Sequence, residues 1–160
     1  MSIPTPWNLR AATNADGPAI RELIARVLAE YGITTCESTT ERDLLDIEAS
    51  YWRAGGVFYV LVEGSRTIGT VALQRESPTS CELCRMYLAA SDRGRGLGRR
   101  LLNHALECAR QGGFEEIRLE TAAVLREAIA LYRSVGFVVE DRPPLGANCD
   151  VLMRKRLLPT

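Results

Sequence analysis

The chain has 160 residues, 46% of them hydrophobic and 25% charged, a composition that is ordinary for one soluble globular domain, expected here over residues 1–160. Lys and Arg total 20, as do Asp and Glu, so there is no net charge. This balance argues against nucleic-acid or membrane-surface partners, because both require a broad basic face.

The first half of the chain predicts a strand, two helices and a hairpin. Residues 7–12 are predicted to form a short first strand, and apolar positions at helical spacing predict a helix over 16–31. The segment 39–56 predicts a second helix that ends at Gly55 and Gly56. Residues 57–76 predict a hairpin that turns around 63–66.

The second half alternates strands and helices. Strand 81–89 is followed by a helix from about Leu97 to Gly112, then by strand 115–122 and a helix that stops at Gly136. Two strands near 137–140 and 149–156 complete the chain. The order predicts a mixed α/β fold, with a mainly antiparallel sheet, flanking helices and a central parallel pair formed by 81–89 and 115–122.

Five cysteines are scattered along the chain: Cys36, Cys81, Cys84, Cys108 and Cys149. Their odd number and spacing predict free thiols in a reducing, cytoplasmic setting. Cys81 and Cys84 form a C-x-x-C pair, but residues three apart in a strand point to opposite faces. No metal site is predicted. The N-terminus lacks an apolar leader, and no segment reaches the length of a membrane span.

Three glycines, Gly94, Gly96 and Gly98, lie between a strand and a helix. Glycine is a poor helix former, and a simple strand-to-helix turn would require only one glycine. A helix N-terminus presents unpaired N–H groups and a partial positive charge, and glycines allow a bulky anion to approach them. Four arginines surround the glycines: Arg93, Arg95, Arg99 and Arg100. The loop therefore predicts a phosphate-bearing ligand.

Two common phosphate-binding loops do not fit this sequence. A Walker loop requires Gly-Lys-Ser/Thr, whereas this loop ends Gly-Arg-Arg. The third glycine of G-x-G-x-x-G would fall on Arg99 or Leu101. The pattern that fits is Arg/Gln-x-x-Gly-x-Gly/Ala, at Arg93, Gly96 and Gly98.

The segment MYLAASDRGRGLGRRLL resembles the acetyl-CoA loop of the GNAT superfamily of N-acetyltransferases. LETAAVLREAIALYRSVGF is similar to the last helix of that family, and LRAATNADGPAIREL to its first strand and helix. The resemblance covers nearly the whole chain. It implies a GNAT-like fold with acetyl-CoA as cosubstrate.

The resemblance also implies which residues hold acetyl-CoA. A bulge should separate strand 81–89 from strand 116–122 and leave backbone groups for the pantetheine arm, while the loop amides cradle the pyrophosphate. Many relatives carry an asparagine at the position of Leu125, so that contact is not expected here. The implied binding residues are Met86, Tyr87, Leu88, Arg93, Gly94, Arg95, Gly96, Leu97, Gly98, Arg99, Ala128 and Tyr132.

Acetyl transfer to an amine requires a base, an oxyanion site and an acid. A lysine-like amine with a pKa of about 10.4 needs roughly 4–5 kcal/mol to be neutral at pH 7. Glu82 and Glu120 occupy positions at which some relatives carry a base; Glu82 is preferred, and a water chain is a further alternative. Tyr132 is the candidate acid for the leaving thiolate, and the N–H of Leu88 or its neighbour is the candidate oxyanion donor.

The leading hypothesis is an N-acetyltransferase that acetylates a primary amine of a small molecule within a ternary complex. Acetylation of a protein N-terminus or lysine would use the same cofactor motifs, although LET rather than LEVR at 119–121 favours a small acceptor. A non-catalytic acetyl-CoA sensor is the third hypothesis. Acceptor walls are expected in 31–56 and 141–149. The sequence does not decide between a monomer and a homodimer.

Overall fold

The computed structural model describes residues 6–33, 42–141 and 150–157. Across these ranges the chain forms seven strands and four α-helices. The strands are β1 (Trp7–Ala11), β2 (Val57–Glu63), β3 (Arg66–Arg75), β4 (Ser80–Leu88), β5 (Glu116–Thr121), β6 (Val138–Val139) and β7 (Val151–Arg156). The α-helices are α1 (Gly17–Glu30), α2 (Arg42–Leu45), α3 (Leu97–Gln111) and α4 (Arg126–Ser134).

The strands form one sheet in the order β1-β2-β3-β4-β5-β7-β6. Of the neighbouring strands in the described ranges, β4 and β5 alone are parallel, and the others are antiparallel. The predicted mixed sheet with one central parallel pair is therefore confirmed. Because parallel strands cannot be joined by a tight turn, α3 connects β4 to β5 as a crossover.

Two buried clusters cover the two faces of the sheet. On the α3 face, Leu101 and Leu102 of α3 pack with Ile117 and Leu119 of β5. On the α1 face, Ile20 and Ile24 of α1 pack with side chains that include Phe58 and Val60 of β2. Because strand side chains alternate, the even-numbered residues of β5 lie on the α1 face.

The second predicted helix is interrupted, which corrects the continuous helix expected over 39–56. Helix α2 ends at Leu45, and a π-helical turn then covers Glu48–Trp52. The carboxylate of Asp46 accepts a hydrogen bond from the N–H of Ala49 at 3.0 Å, as a helix-capping side chain does. Residues 39–41 of the predicted helix lie outside the described residues. No helix in the described ranges has the length and apolarity required to cross a membrane.

Candidate active site

Strand β4 contains a bulge at Arg85. The φ angle of this residue is 52°, in the left-handed region that residues other than glycine seldom adopt. Ala72 of β3 lies opposite Cys84, whereas Thr70 lies opposite Tyr87, so β4 accommodates one extra residue. The Oγ1 of Thr70 donates a hydrogen bond to the Arg85 carbonyl at 2.7 Å and fixes the bulge from β3.

The pairing between β4 and β5 ends just before this bulge. Their parallel pairing runs from Ser80 and Glu116 to Leu83 and Leu119. Strand β5 continues to Thr121 in its pairing with β7. The backbone of residues 86–88 therefore borders a wedge between β4 and β5. A bulge that separates these strands is what the resemblance implied.

The glycine loop leads from the end of β4 into α3. Gly94 and Gly96 have φ angles of 81° and 76°, which a residue with a Cβ would adopt only under strain. Gly96 is the N-cap of α3, and no side chain caps this helix. The first helical hydrogen bond runs from the N–H of Arg100 to the carbonyl of Gly96 at 3.2 Å. The preceding amides have no acceptor within the helix.

The space above the loop is open. A Cβ placed on Gly94 or Gly96 would meet no atom within 4 Å, and one on Gly98 would meet only the Leu131 side chain at 3.5 Å. Uncapped helical amides, a positive helix end and an open approach together suit a phosphate group. The loop therefore fits the pyrophosphate of acetyl-CoA.

The loop arginines bind protein groups. Nη2 of Arg93 donates to the carbonyl of Leu88 at 3.0 Å, and Nη1 of Arg93 forms an ion pair with Glu30 at 2.8 Å. Arg95 pairs with Asp92 at 3.1 Å. The guanidinium groups of Arg93 and Arg95 thus shape the loop, and their predicted part in phosphate binding rests on their backbone amides. Arg99 donates to the hydroxyl of Ser134 at 3.1 Å.

Asp92 supports this loop and was missed at the sequence level. Its side chain is 4% exposed and accepts hydrogen bonds from Arg66, Arg95 and the Ser91 hydroxyl. A buried carboxylate beside an anion site would repel the anion unless cations neutralised it. The partner Arg66 is the first residue of β3, far from the loop in sequence, so the loop sequence alone does not predict this contact.

Tyr132 lies on α4 and is 6% exposed. Its ring packs edge-on against Phe137, with centroids 5.8 Å apart. Burial, followed by the proximity of Tyr87 and Cys84, raises the pKa of the Tyr132 phenol, which is therefore protonated at neutral pH. No described residue accepts its hydrogen bond, and no fully buried side-chain oxygen in the described ranges lacks a partner. The hydroxyl oxygen is therefore not completely buried.

Glu82 and Glu120 lie on the α1 face of adjacent strands. Glu82 is opposite Arg118 in the parallel register. Burial, followed by the charges of Glu76 and Glu120, raises the pKa of Glu82 to about 7, although Arg118 and Arg85 oppose the shift. Glu82 is therefore a half-buried carboxyl group rather than a solvent-facing strand charge. A carboxyl that titrates near neutral pH is suited to proton transfer.

A buried polar cluster beside the bulge was also missed at the sequence level. Nε and Nη2 of Arg85 donate to the two carboxylate oxygens of Asp43 at 3.0 and 2.7 Å. The hydroxyl of Tyr51 donates to the same carboxylate. Burial opposes the charge of Arg85, but the hydrogen bonds to Asp43 raise the pKa of the guanidinium above its ordinary value. Arg85 lies 42 residues from Asp43 in the chain, so no local sequence pattern predicts this cluster.

The cysteines of the described ranges are free thiols. Cys81 lies in the cluster of the α3 face, and Cys84 packs against the cluster of the α1 face, so the predicted opposite orientation is confirmed. Burial raises the pKa of Cys81 to about 12 and that of Cys84 above its ordinary range. Cys36 and Cys149 lie outside the described residues. The described ranges contain no group of three or more His, Cys, Asp or Glu side chains that could hold a metal.

His104 of α3 is half-buried. Its ring packs edge-on against Tyr59 at 4.2 Å between centroids. Burial lowers the pKa of the imidazole. His104 is therefore part of the packing between α3 and β2.

Comparison with known proteins identifies the family. A sequence model described as "Acetyltransferase (GNAT) family" matches residues 23–137. The chain belongs to the GNAT acetyltransferase family. The Escherichia coli K12 protein named "Uncharacterized N-acetyltransferase YjgM" is 36% identical, over 93% of this chain and 94% of its own length.

Solved structures of GNAT proteins share the fold. A GNAT acetyltransferase from Staphylococcus aureus Mu50 superimposes with a TM-score of 0.87 and 21% identity, over 95% of this chain and 99% of its own. PaiA N-acetyltransferase from Thermoplasma acidophilum, solved in complex with coenzyme A, has a TM-score of 0.75 and 22% identity, over 95% and 99% of the two chains. The predicted superfamily, fold and enzyme class are confirmed. The roles of individual residues stay predictions.

Leu125 stands at a position where many GNAT relatives carry asparagine. Leu125 is the N-cap of α4, and its side chain makes no capping hydrogen bond. An asparagine there would offer both a cap and a polar contact. Position 125 of this GNAT domain therefore offers no polar side chain to a cofactor.

Proposed function

We propose that this GNAT domain transfers the acetyl group of acetyl-CoA directly to a primary amine of a small molecule within a ternary complex. The observation that carries the proposal is that two binding features follow one another along the chain: the wedge after Arg85 and the uncapped N-terminus of α3. The wedge offers strand-like backbone groups, and the helix start offers amides for phosphates. A thioester bound along these two features would lie near Tyr132 and Glu82.

Two protons must leave the nitrogen during transfer. Glu82, as a carboxylate, takes the first proton from the ammonium form, and the free lone pair then attacks the thioester carbonyl carbon. The N–H of Leu88 or its neighbour stabilises the negative charge on the carbonyl oxygen. Glu120 is the alternative base, and its closeness to Glu82 is supported by its effect on the pKa of that group.

Collapse of the tetrahedral intermediate breaks the carbon–sulfur bond. The departing thiolate takes the proton of the Tyr132 hydroxyl, and the second nitrogen proton restores the phenol through the wedge. The sum is an ammonium and acetyl-CoA converted to an amide, free coenzyme A and one released proton. The buried, protonated state of Tyr132 supports this assignment.

The experiment that tests the proposal measures thiol release from acetyl-CoA with amino acids, polyamines, aminoglycosides, peptides with free N-termini and lysine peptides. Mass spectrometry of the acceptor identifies the acetylated product, and Tyr132→Phe controls for turnover at this site. Turnover with small amines supports the proposal. Turnover confined to peptides favours the protein acetyltransferase, and binding of coenzyme A without turnover favours the sensor.

Assembly and location belong to the same proposal. A reducing, cytoplasmic setting is supported by the free thiols in the described ranges. A homodimer is tested by sedimentation of the full chain with and without coenzyme A. A single species at the monomer mass at all concentrations would exclude it.

A further inference from the structure

The bulge of β4 has an unusual conformation for its residue. Among the described residues, Arg85 is the one non-glycine residue with a positive φ. The left-handed conformation is strained for a residue with a Cβ, so neighbouring contacts must hold it. Arg85 directly precedes Met86, the first residue of the part of β4 that borders the wedge.

The contacts that hold Arg85 come from two elements. Thr70 of β3 binds its carbonyl. Asp43 of α2 binds its guanidinium through a two-pronged ion pair in which the side chains are 15% and 17% exposed. Such paired hydrogen bonds fix direction as well as distance. The Tyr51 hydroxyl orients the Asp43 carboxylate from the π-helical turn.

We propose that Asp43 is a positioning residue for acetyl-CoA, because its ion pair with Arg85 holds the β4 bulge in the left-handed conformation and keeps the backbone of residues 86–88 turned into the wedge. The inference rests on the proposed function, since acetyl-CoA is assumed to bind along β4. Asp43 belongs to the 31–56 segment in which an acceptor wall was predicted. The ion pair therefore ties the acceptor side to the cofactor side.

The competing explanation is an ion pair that stabilises the fold and nothing more. Removing one partner would leave the other buried and unpaired, which destabilises any protein. A single substitution therefore does not distinguish a positioning role from a purely structural one. The matched pair Asp43→Asn/Arg85→Gly and Asp43→Asn/Arg85→Ala removes both charges. The two variants differ in one Cβ. Glycine adopts a positive φ without strain, whereas alanine favours ordinary extended backbone.

Calorimetry with coenzyme A, at a temperature where circular dichroism shows both variants folded, tests the proposal. We expect the Gly variant to bind within about threefold of wild type and the Ala variant about tenfold more weakly. In steady state the loss should appear in KM for acetyl-CoA and not in KM for the amine. Tyr51→Phe, which removes one hydrogen bond to Asp43 but keeps the ion pair, should weaken binding less than the Ala variant does.

Equal affinities, or tighter binding by the Ala variant, would overturn the proposal, because glycine ordinarily weakens a strand relative to alanine. Should the Ala variant not fold, Arg85→Lys keeps the charge but loses the two-pronged geometry; a loss of affinity supports the proposal, and unchanged affinity overturns it. Wild-type protein that binds coenzyme A but acetylates no amine would contradict the proposed transfer alone. Failure of wild type to bind would overturn both.

Discussion

The proposed cofactor side and the proposed amine side of this active site are built in different ways. The cofactor side is a continuous segment, from the end of β4 through the loop to α3, and it offers backbone amides. The amine side brings together side chains of α2, β4 and β5, such as Asp43, Glu82 and Glu120. Backbone chemistry can be encoded by neighbouring letters, whereas side-chain chemistry depends on packing.

Tyr132 is the proposed acid for the leaving thiolate, and its replacement should have the largest effect. Tyr132→Phe keeps the ring against Phe137 but removes the proton proposed for the thiolate. We expect a 10²- to 10⁴-fold loss in kcat, the usual range for general acid catalysis, with the affinity for acetyl-CoA little changed. A single-turnover assay measures the step directly. Tyr59→Phe is the control, and a wild-type rate in Tyr132→Phe would reduce Tyr132 to a packing residue.

A comparison of Glu82→Gln with Glu120→Gln tests which glutamate is the base on the amine side. Wild-type kcat/KM should rise with pH through about 7, because Glu82 acts as a base only when ionised. Glu82→Gln should lose roughly 100-fold at pH 7 and recover above pH 9, where more of the amine is neutral.

Glu120→Gln should instead shift the same rise to lower pH, because the charge of Glu120 raises the pKa of Glu82. Full pH profiles of both variants with one amine measure the difference. If the rise disappears in Glu120→Gln and persists in Glu82→Gln, the base is Glu120.

The cofactor side is tested by a matched pair of glycines. Gly96 and Gly113 have φ angles of 76° and 78°, and a Cβ on either would meet no atom within 4 Å. Gly96→Ala and Gly113→Ala should therefore cost similar stability. Gly96→Ala alone should weaken coenzyme A binding, by at least about tenfold, because its Cβ enters the phosphate approach. Calorimetry measures coenzyme A binding, and thermal unfolding measures stability. Equal affinities of the two variants for coenzyme A would contradict the phosphate site.

The smallest expected effect is on stability. The unfolded chain releases the Glu82 proton near pH 4.5 and the folded chain near pH 7, so the free energy of unfolding falls as the pH rises between these values. Glu82→Gln removes this penalty. We expect it to gain about 2 kcal/mol at pH 8.5, after allowance for partial exposure, or roughly 4–8 °C in Tm.

At pH 4 the Glu82→Gln variant should unfold at nearly the wild-type temperature, since Glu82 is then protonated in both states. Differential scanning calorimetry at the two pH values measures this. An equal shift at both would mean that charge is not the cause.

Sequence and structure agree where local patterns decide the outcome. Helix α3 was predicted from apolar spacing, and its buried residues include Leu97, Leu101 and Leu102. The pattern failed at 39–56, where helix α2 ends at Leu45. The Asp46 carboxylate there accepts a hydrogen bond from the N–H of Ala49, as a capping side chain does. A capping aspartate resembles any other helical aspartate until its partner is known.

The sequence by itself determined the family, the sheet with its parallel pair and the glycine loop, because each depends on short-range order in the chain. Only the tertiary structure decided that Glu82 is half-buried and that Asp92 supports the loop. It also joined Asp43 to Arg85 across 42 residues of sequence. Burial and ion pairing depend on which elements pack together, and the local sequence around a residue does not determine its packing partners.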